Sequence, residues 1–248
     1  MNTFFLGARS DFYVTAASDC PYLEGRREKK IFTFLGGDKA AEINSHLSRR
    51  GFRRSQNIAY LPACDGCKAC RPVRIVAEGF DDKRWRRTLN RNADLVRTMT
   101  APKVSTEQFS LLRGYLDSRH AGGGMTDMTV LDYQQMVEQT PVDTFLLEYR
   151  DEAGTLIACA LSDRLEDGLS MVYSFFEPED ARRSLGSFMI ADHVRLAREL
   201  GLPYVYLGYW VDGSPKMDYK RRFSPLEVYG REGWQVLPPP KPAARPSR

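Results

Sequence analysis

The sequence has no run approaching the roughly 20 uninterrupted apolar residues that a membrane span needs. Its apolar stretches, such as 202–211, are broken by Gly, Pro and Tyr. No positively charged opening leads into a long apolar region, so no signal peptide is expected, and the chain reads as cytoplasmic with no membrane partner. The cysteine count is odd, five in all, which argues against a disulfide framework. There is no internal repeat. With 42% apolar and 27% charged residues, neither a wholly disordered nor a collagen-like chain fits. What is present, 248 residues, is enough to bury a real core, as one large domain or two small ones.

Charge is unevenly spread. The formal net charge is +4, but the first hundred residues hold nineteen Lys and Arg against eleven Asp and Glu, while 101–236 are acidic on balance. A basic part joined to an acidic part points to a polyanionic partner held mainly by the first. Arg49, Arg50, Arg53 and Arg54 make one basic group; Lys83, Arg84, Arg86, Arg87, Arg91 and Arg97 make another. On a helix over 82–98, Arg84, Arg87 and Arg91 share one face and Trp85, Leu89 and Asn92 another. Such a guanidinium row can follow phosphates; a merely solvated helix face is the plainer alternative.

Periodicity predicts a helix over 40–50, strands over 56–61 and 71–77, and the helix over 82–98. Helices over 106–119 and 130–139 follow, then strands over 143–149, 155–162 and 169–176. A helix over 186–200, stopped by Gly201, leads to a strand over 204–210. Beyond 210 only loop and short structure is expected. The chain thus divides into a basic Cys-bearing unit (1–100), a second unit (101–236) and a Pro/Ala/basic disordered tail (237–248). Helices, three antiparallel strands, a helix and a strand make an α+β order. That order is the core of the acyl-CoA N-acyltransferase (GNAT) fold, so a GNAT-like C-terminal domain is expected behind a smaller Cys-bearing α+β unit.

Four segments carry candidate chemistry. Cys64, Cys67 and Cys70 stand three apart, a spacing that lets thiolates reach one zinc ion or one corner of an iron–sulfur cluster, with Cys20 as the natural fourth ligand; reduced thiols that only pack are the alternative. Cys159, inside a predicted strand, reads as core. Arg183-Ser184-Leu185-Gly186-Ser187 opens a helix, where backbone N–H groups can face an anion. The acyl-CoA-binding turn has a further glycine where this chain has Phe188. Arg119 and His120 lead into three glycines that allow a bulky substrate close approach. His120 is a candidate acid–base group, although a lone His is more often a hydrogen-bonded structural residue. Gly208-Tyr209-Trp210 ends a strand, and Lys216 and Lys220, four apart, would share a helix face as cations at a pocket rim.

Taken together these segments resemble the arginyl/leucyl-tRNA–protein transferases. The matching text is Cys20-Pro21-Tyr22-Leu23 with Gly25-Arg26, 50–55, 64–75, 119–125, 170–178, 184–186 and 207–220, within a span of 12–234. The short length and single Cys run are similar to the bacterial, leucine-transferring branch. The resemblance implies transfer of leucine from leucyl-tRNA to the N-terminal α-amine of proteins beginning with Asp or Glu, which makes a degradation signal. In longer relatives, matching cysteines are linked to zinc or an iron–sulfur cluster. No cofactor is required, because the ester already carries the activation energy. On this reading Gly186 and Ser187 hold the donor's 3′ end, Tyr173 or Tyr209 protonates the leaving ribose oxygen, His120 is a further catalytic candidate, Arg119, Lys216 or Lys220 grips the acceptor carboxylate, and Arg53, Arg54, Arg84, Arg87 and Arg91 meet the RNA. The alternatives are an arginyl donor, a non-catalytic Cys-metal tRNA-binding protein, and a small-molecule acetyltransferase.

Overall fold

The structure, a computed structural model, describes residues 11–119 and 127–238. The chain opens with β1 (Tyr13–Val14), β2 (Ser18–Asp19), β3 (Arg27–Glu28) and β4 (Lys30–Phe34), then α1 (Ala40–Ser48), β5 (Arg53–Ser55) and β6 (Ile58–Pro62). These give a four-stranded sheet in the order β1-β4-β6-β5 and a separate β2–β3 pair. Next come β7 (Cys70–Val76), α2 (Asp82–Arg91), β8 (Val96–Thr100), α3 (Thr106–Arg119) and α4 (Val130–Glu138). The rest is β9 (Thr144–Arg150), β10 (Leu156–Leu165), β11 (Gly168–Phe176), α5 (Leu185–Glu199), β12 (Tyr204–Val211), β13 (Leu226–Gly230) and β14 (Gly233–Leu237).

The large sheet has eight strands in the order β14-β13-β7-β12-β11-β10-β9-β8. Only β11 and β12 run parallel within it, with α5 as their crossover. Both faces of its centre are covered, which is why β9 and β10 are buried almost throughout instead of alternating. One face packs Leu147, Ala160, Leu169 and Val205 against α5 and the Trp85 and Leu89 side of α2. The other packs Leu146, Leu161 and Phe175 against Leu112, Leu116, Tyr133 and Val137 of α3 and α4. Cys159 lies fully buried in this second layer, as expected of a core residue. Helix ends follow local chemistry: Asp81 caps α2 by accepting from the Lys83 N–H, and Thr129 and Asp132 form a capping box on α4. Gly201, at φ 67°, ends α5.

Three expectations change. The predicted helix over 82–98 stops at Arg91, because Asn92 turns its amide onto the carbonyls of Thr88 and Arg183. The remainder, Val96–Thr100, becomes a strand paired with β9. Beyond β12 a hairpin forms, β13–β14, and it reaches Leu237, so the residue at which the tail is expected to begin lies in a strand. The division near residue 100 does not separate two sheets, since β7 and β8 from the first hundred residues lie in the large sheet beside strands from the second part. Residues 239–248 and His120 lie outside the described residues.

Candidate functional site

β11 and β12 are hydrogen-bonded only from Gly168–Ser170 against Tyr204–Tyr206. Beyond that, on its other side, the pairing of β12 with β7 shifts register between Tyr206 and Gly208, where Gly208 takes φ 71°, a conformation that favours glycine. The two strands diverge into a wedge whose inner carbonyls lack a neighbouring strand. Side chains satisfy them, as buried backbone groups require. Arg53, from β5, donates Nη1 to the Leu207 carbonyl at 3.2 Å and Nη2 to the Val172 carbonyl, tying both sides together. Lys220, in a 3-10 turn over Asp218–Arg222, donates Nζ to the carbonyls of Leu207 at 2.8 Å and Tyr209 at 2.6 Å. Gly208 leaves the room: a Cβ there would lie 1.6 Å from Arg53 Nη1.

The walls of the wedge are aromatic. Tyr173 and Phe176 come from β11, Tyr115 from α3 with its ring 4.9 Å from that of Phe176, and Tyr219 from the turn that carries Lys220. Burial pushes the Tyr173 hydroxyl pKa up, and the nearby Tyr115 adds to this, so the hydroxyl keeps its proton at neutral pH. Burial also raises that of Tyr219, which Arg53 opposes. Helix α5 starts at the same place. Its preceding residue, Ser184, sits at φ 52° and offers no side-chain cap, while its carbonyl accepts from the N–H groups of Ser187 at 2.9 Å and Phe188 at 3.0 Å. Gly186 is needed for space, because a Cβ would press to 3.2 Å from the Phe176 ring. The approach loop is fixed from α2 and the residues after it: Arg183 pairs with Asp94 and donates to Asn92, and Arg91 donates to the Arg182 carbonyl.

Several expected roles meet a different environment. Arg54 is buried and bidentate on Asp163, at 2.6 and 2.7 Å, with Thr144 alongside; it joins the two sheets and is not available to RNA. The Tyr209 hydroxyl is committed to the carbonyls of Tyr60 at 2.8 Å and Gly51 at 3.2 Å, which anchors the small sheet on β12 and keeps it from a leaving oxygen. Lys216 and Lys220 do not share a helix face: Lys216 is exposed in the turn before the 3-10 segment, while Lys220 is buried in it. Burial, with Arg53 close by, lowers the Lys220 pKa well below the usual ammonium value. Arg119 ends α3. On α2, Lys83, Arg84, Arg86 and Arg87 are exposed, and Trp85 and Leu89 face the core as the helical spacing requires.

The four candidate thiols share one neighbourhood. Cys70 is pushed up to about 11, first by burial and then by Cys20, Cys64 and Cys67, so its thiol stays protonated at neutral pH. Cys64 exchanges weak contacts with the backbone of Lys29. Among the described residues no three His, Cys, Asp or Glu side chains are placed to hold a metal ion, and all five cysteines are free thiols.

Comparison with known proteins decides the family. The model of the "Arginine-tRNA-protein transferase, N terminus" matches residues 18–88, and that of the "Arginine-tRNA-protein transferase, C terminus" matches 107–230. This chain belongs to the arginine-tRNA-protein transferase family. It is 58% identical to the aspartate/glutamate leucyltransferase of Parvibaculum lavamentivorans, over 92% of this chain and 95% of that one. It is 57% identical to that of Mesorhizobium japonicum, over 90% and 92%. Among solved structures, L-PGS from Bacillus licheniformis aligns with TM-score 0.43 at 15% identity, over 57% of this chain and 47% of that one, a likeness too distant to speak to the fold. In this transferase the wedge is where the two matched regions meet: Arg53 comes from the first, Tyr173, Gly186, Gly208 and Lys220 from the second. Sequence reading singled out Gly186, Tyr173 and Lys220 as candidates and took the segment with Tyr219 for part of a pocket, but it gave Tyr115 and Phe176 no place at a site. Their only signal is an aromatic at each of two positions that the topology brings together.

Proposed function

We propose that this transferase moves leucine from leucyl-tRNA onto the N-terminal α-amine of polypeptides that begin with Asp or Glu. The observation that carries the reading is the shared name of relatives 56–58% identical along nearly their whole length. The wedge suits the chemistry. The amine nitrogen attacks the ester carbonyl, the carbon–oxygen bond to the ribose breaks, and the departing oxygen takes up a proton while the new amide loses one. A free α-amine, with a pKa near 7.7–8.0, is already partly neutral at working pH, so orientation and proton supply are the main needs. Tyr173, protonated and half-buried in the wedge wall, is the proton donor in this scheme. The uncapped start of α5, with Gly186 and Ser187, receives the donor's 3′ end, and the exposed arginines of α2 meet the RNA. No step requires a cofactor.

We also read the C-terminal part as GNAT-like. Support comes from the antiparallel β9-β10-β11 run, the parallel β11–β12 pair around α5, and the divergence of those two strands. The absence of any helix long and apolar enough to cross a membrane among the described residues is compatible with a cytoplasmic enzyme. The test is direct: labelled leucyl-tRNA or arginyl-tRNA is incubated with peptides that begin with Asp, Glu or Ala. Label on the Asp and Glu peptides from leucyl-tRNA alone is expected. Label from arginyl-tRNA would change the donor, and RNA binding with no transfer would overturn the reading.

A further inference from the structure

The apex of the wedge holds the Arg53 guanidinium and the buried Lys220 amine, and no carboxylate is paired with either among the described residues; the partners of both are main-chain carbonyls. Three other arginines withdrawn from water are matched with carboxylates, Arg54 with Asp163 at 2.6 Å, Arg74 with Glu227 at 2.7 Å and Arg97 with Asp192 at 3.2 Å. Burial first, and then the neighbouring Arg53, disfavours the ammonium form of Lys220, so the charge at the apex is that of Arg53. A guanidinium half withdrawn from water with no carboxylate beside it is unfavourable unless an anion joins it, and such uncompensated charge in a cleft is a candidate binding site.

The anion that fits is a carboxylate. The cations suited to RNA phosphates stand elsewhere, exposed on α2 and at Arg182, on the side where α5 begins. Arg53 instead lies between two strands of the sheet, its plane fixed by one N–H on each. A guanidinium has five N–H donors, so the edge not used by the strands can take a carboxylate in a two-point contact that a lysine ammonium does not reproduce. An acceptor that begins with Asp or Glu carries that carboxylate a short side chain away from the amine that reacts. Seating it at the apex brings the amine into the wedge that Tyr173 lines.

We infer that Arg53 is a specificity-determining residue, pairing with the acidic side chain of the acceptor's first residue, while Lys220 and Gly208 hold the strand carbonyls and the space that fix its orientation. The inference rests on the transferase reading above. To test it, transfer from leucyl-tRNA and equilibrium binding are both measured for peptides that begin with Asp, Glu, Asn or Gln, in the wild type, Arg53→Gln and Arg53→Lys, with leucyl-tRNA affinity in parallel. In Arg53→Gln, the acceptor kcat/KM for Asp and Glu peptides is expected to fall by on the order of 100-fold. The preference for Asp over Asn should collapse, and leucyl-tRNA affinity should stay within about twofold, since this site makes no phosphate contact. Arg53→Lys, which keeps the charge but not the fork, should retain the Asp-over-Asn preference at reduced efficiency, and it carries the test if the Gln variant fails to fold. Retention of the full preference in Arg53→Gln would overturn the inference. So would loss of leucyl-tRNA affinity with acceptor KM unchanged, because the cation would then serve RNA. If the wild type transfers no leucine, the transferase reading fails, and peptide binding still decides whether Arg53 selects an acidic first residue.

Discussion

His193 is the residue whose environment departs furthest from what its type suggests. It is fully buried in α5, with Nδ1 on the Met189 carbonyl at 2.7 Å and Nε2 2.9 Å from the Ser162 hydroxyl. Burial lowers its pKa from 6.5 to about 4, so the folded protein keeps it neutral. Between those values the unfolded chain takes up a proton that the folded chain does not, and stability must therefore fall as pH drops from 6.5 toward 4. The shift corresponds to about 3 kcal/mol. Urea unfolding of wild type and His193→Gln at a series of pH values should show a steeper acid decline in the wild type; equal slopes would show that His193 titrates alike in both states. Single residues also show where sequence reading stops. Arg53 and Arg54 are neighbours of one type in one basic cluster, yet one lies at the wedge and the other is locked on Asp163. The alternation of β5 sends them to opposite faces, and nothing local says that Asp163 waits on one side and a pair of diverging strands on the other.

At the scale of elements, α2 is the clearest interaction surface. One side is fixed by Trp85, whose ring stacks on Phe223 at 4.3 Å, and by Leu89; the other presents Arg84 and Arg87 without ion pairs among the described residues. Replacing both by Ala should reduce tRNA affinity by about tenfold and flatten the slope of log affinity against log salt by about 2. Filter binding across a salt series measures this, and the thermal midpoint should be unchanged because neither side chain packs. That helix face was legible from spacing alone, as were α3 over Thr106–Arg119 and the run from β9 to β12, where buried periodicity is strong. The short strands before α1 and the C-terminal hairpin were not, because two- to five-residue segments with half-exposed side chains carry little periodicity and take their form from partners distant in sequence. The same limit explains the overextended α2: only contact with Arg183 reveals that Asn92 ends the helix.

For the molecule as a whole, the large sheet ignores the expected division near residue 100. β7 lies between β12 and β13, and β8 closes the far edge beside β9. A fragment of residues 101–248 would lose both partners, expose the buried faces of β9 and β12 and lose the Arg54 partner of buried Asp163. Such a fragment, expressed alone, is expected to show no cooperative thermal transition by circular dichroism, whereas the full chain unfolds in one. An independent transition in the fragment would mean that the sheet tolerates the loss.

The position of β7 also has a consequence for how the enzyme is made. It leaves the ribosome with its last residue at Val76, but its neighbours start at Tyr204 and Leu226, so it must wait unpaired through most of synthesis. The wedge between β11 and β12 therefore takes shape only after the chain has been made past Val211. A product that stops short of β12 would carry the basic residues of α2 but neither side of the wedge in place.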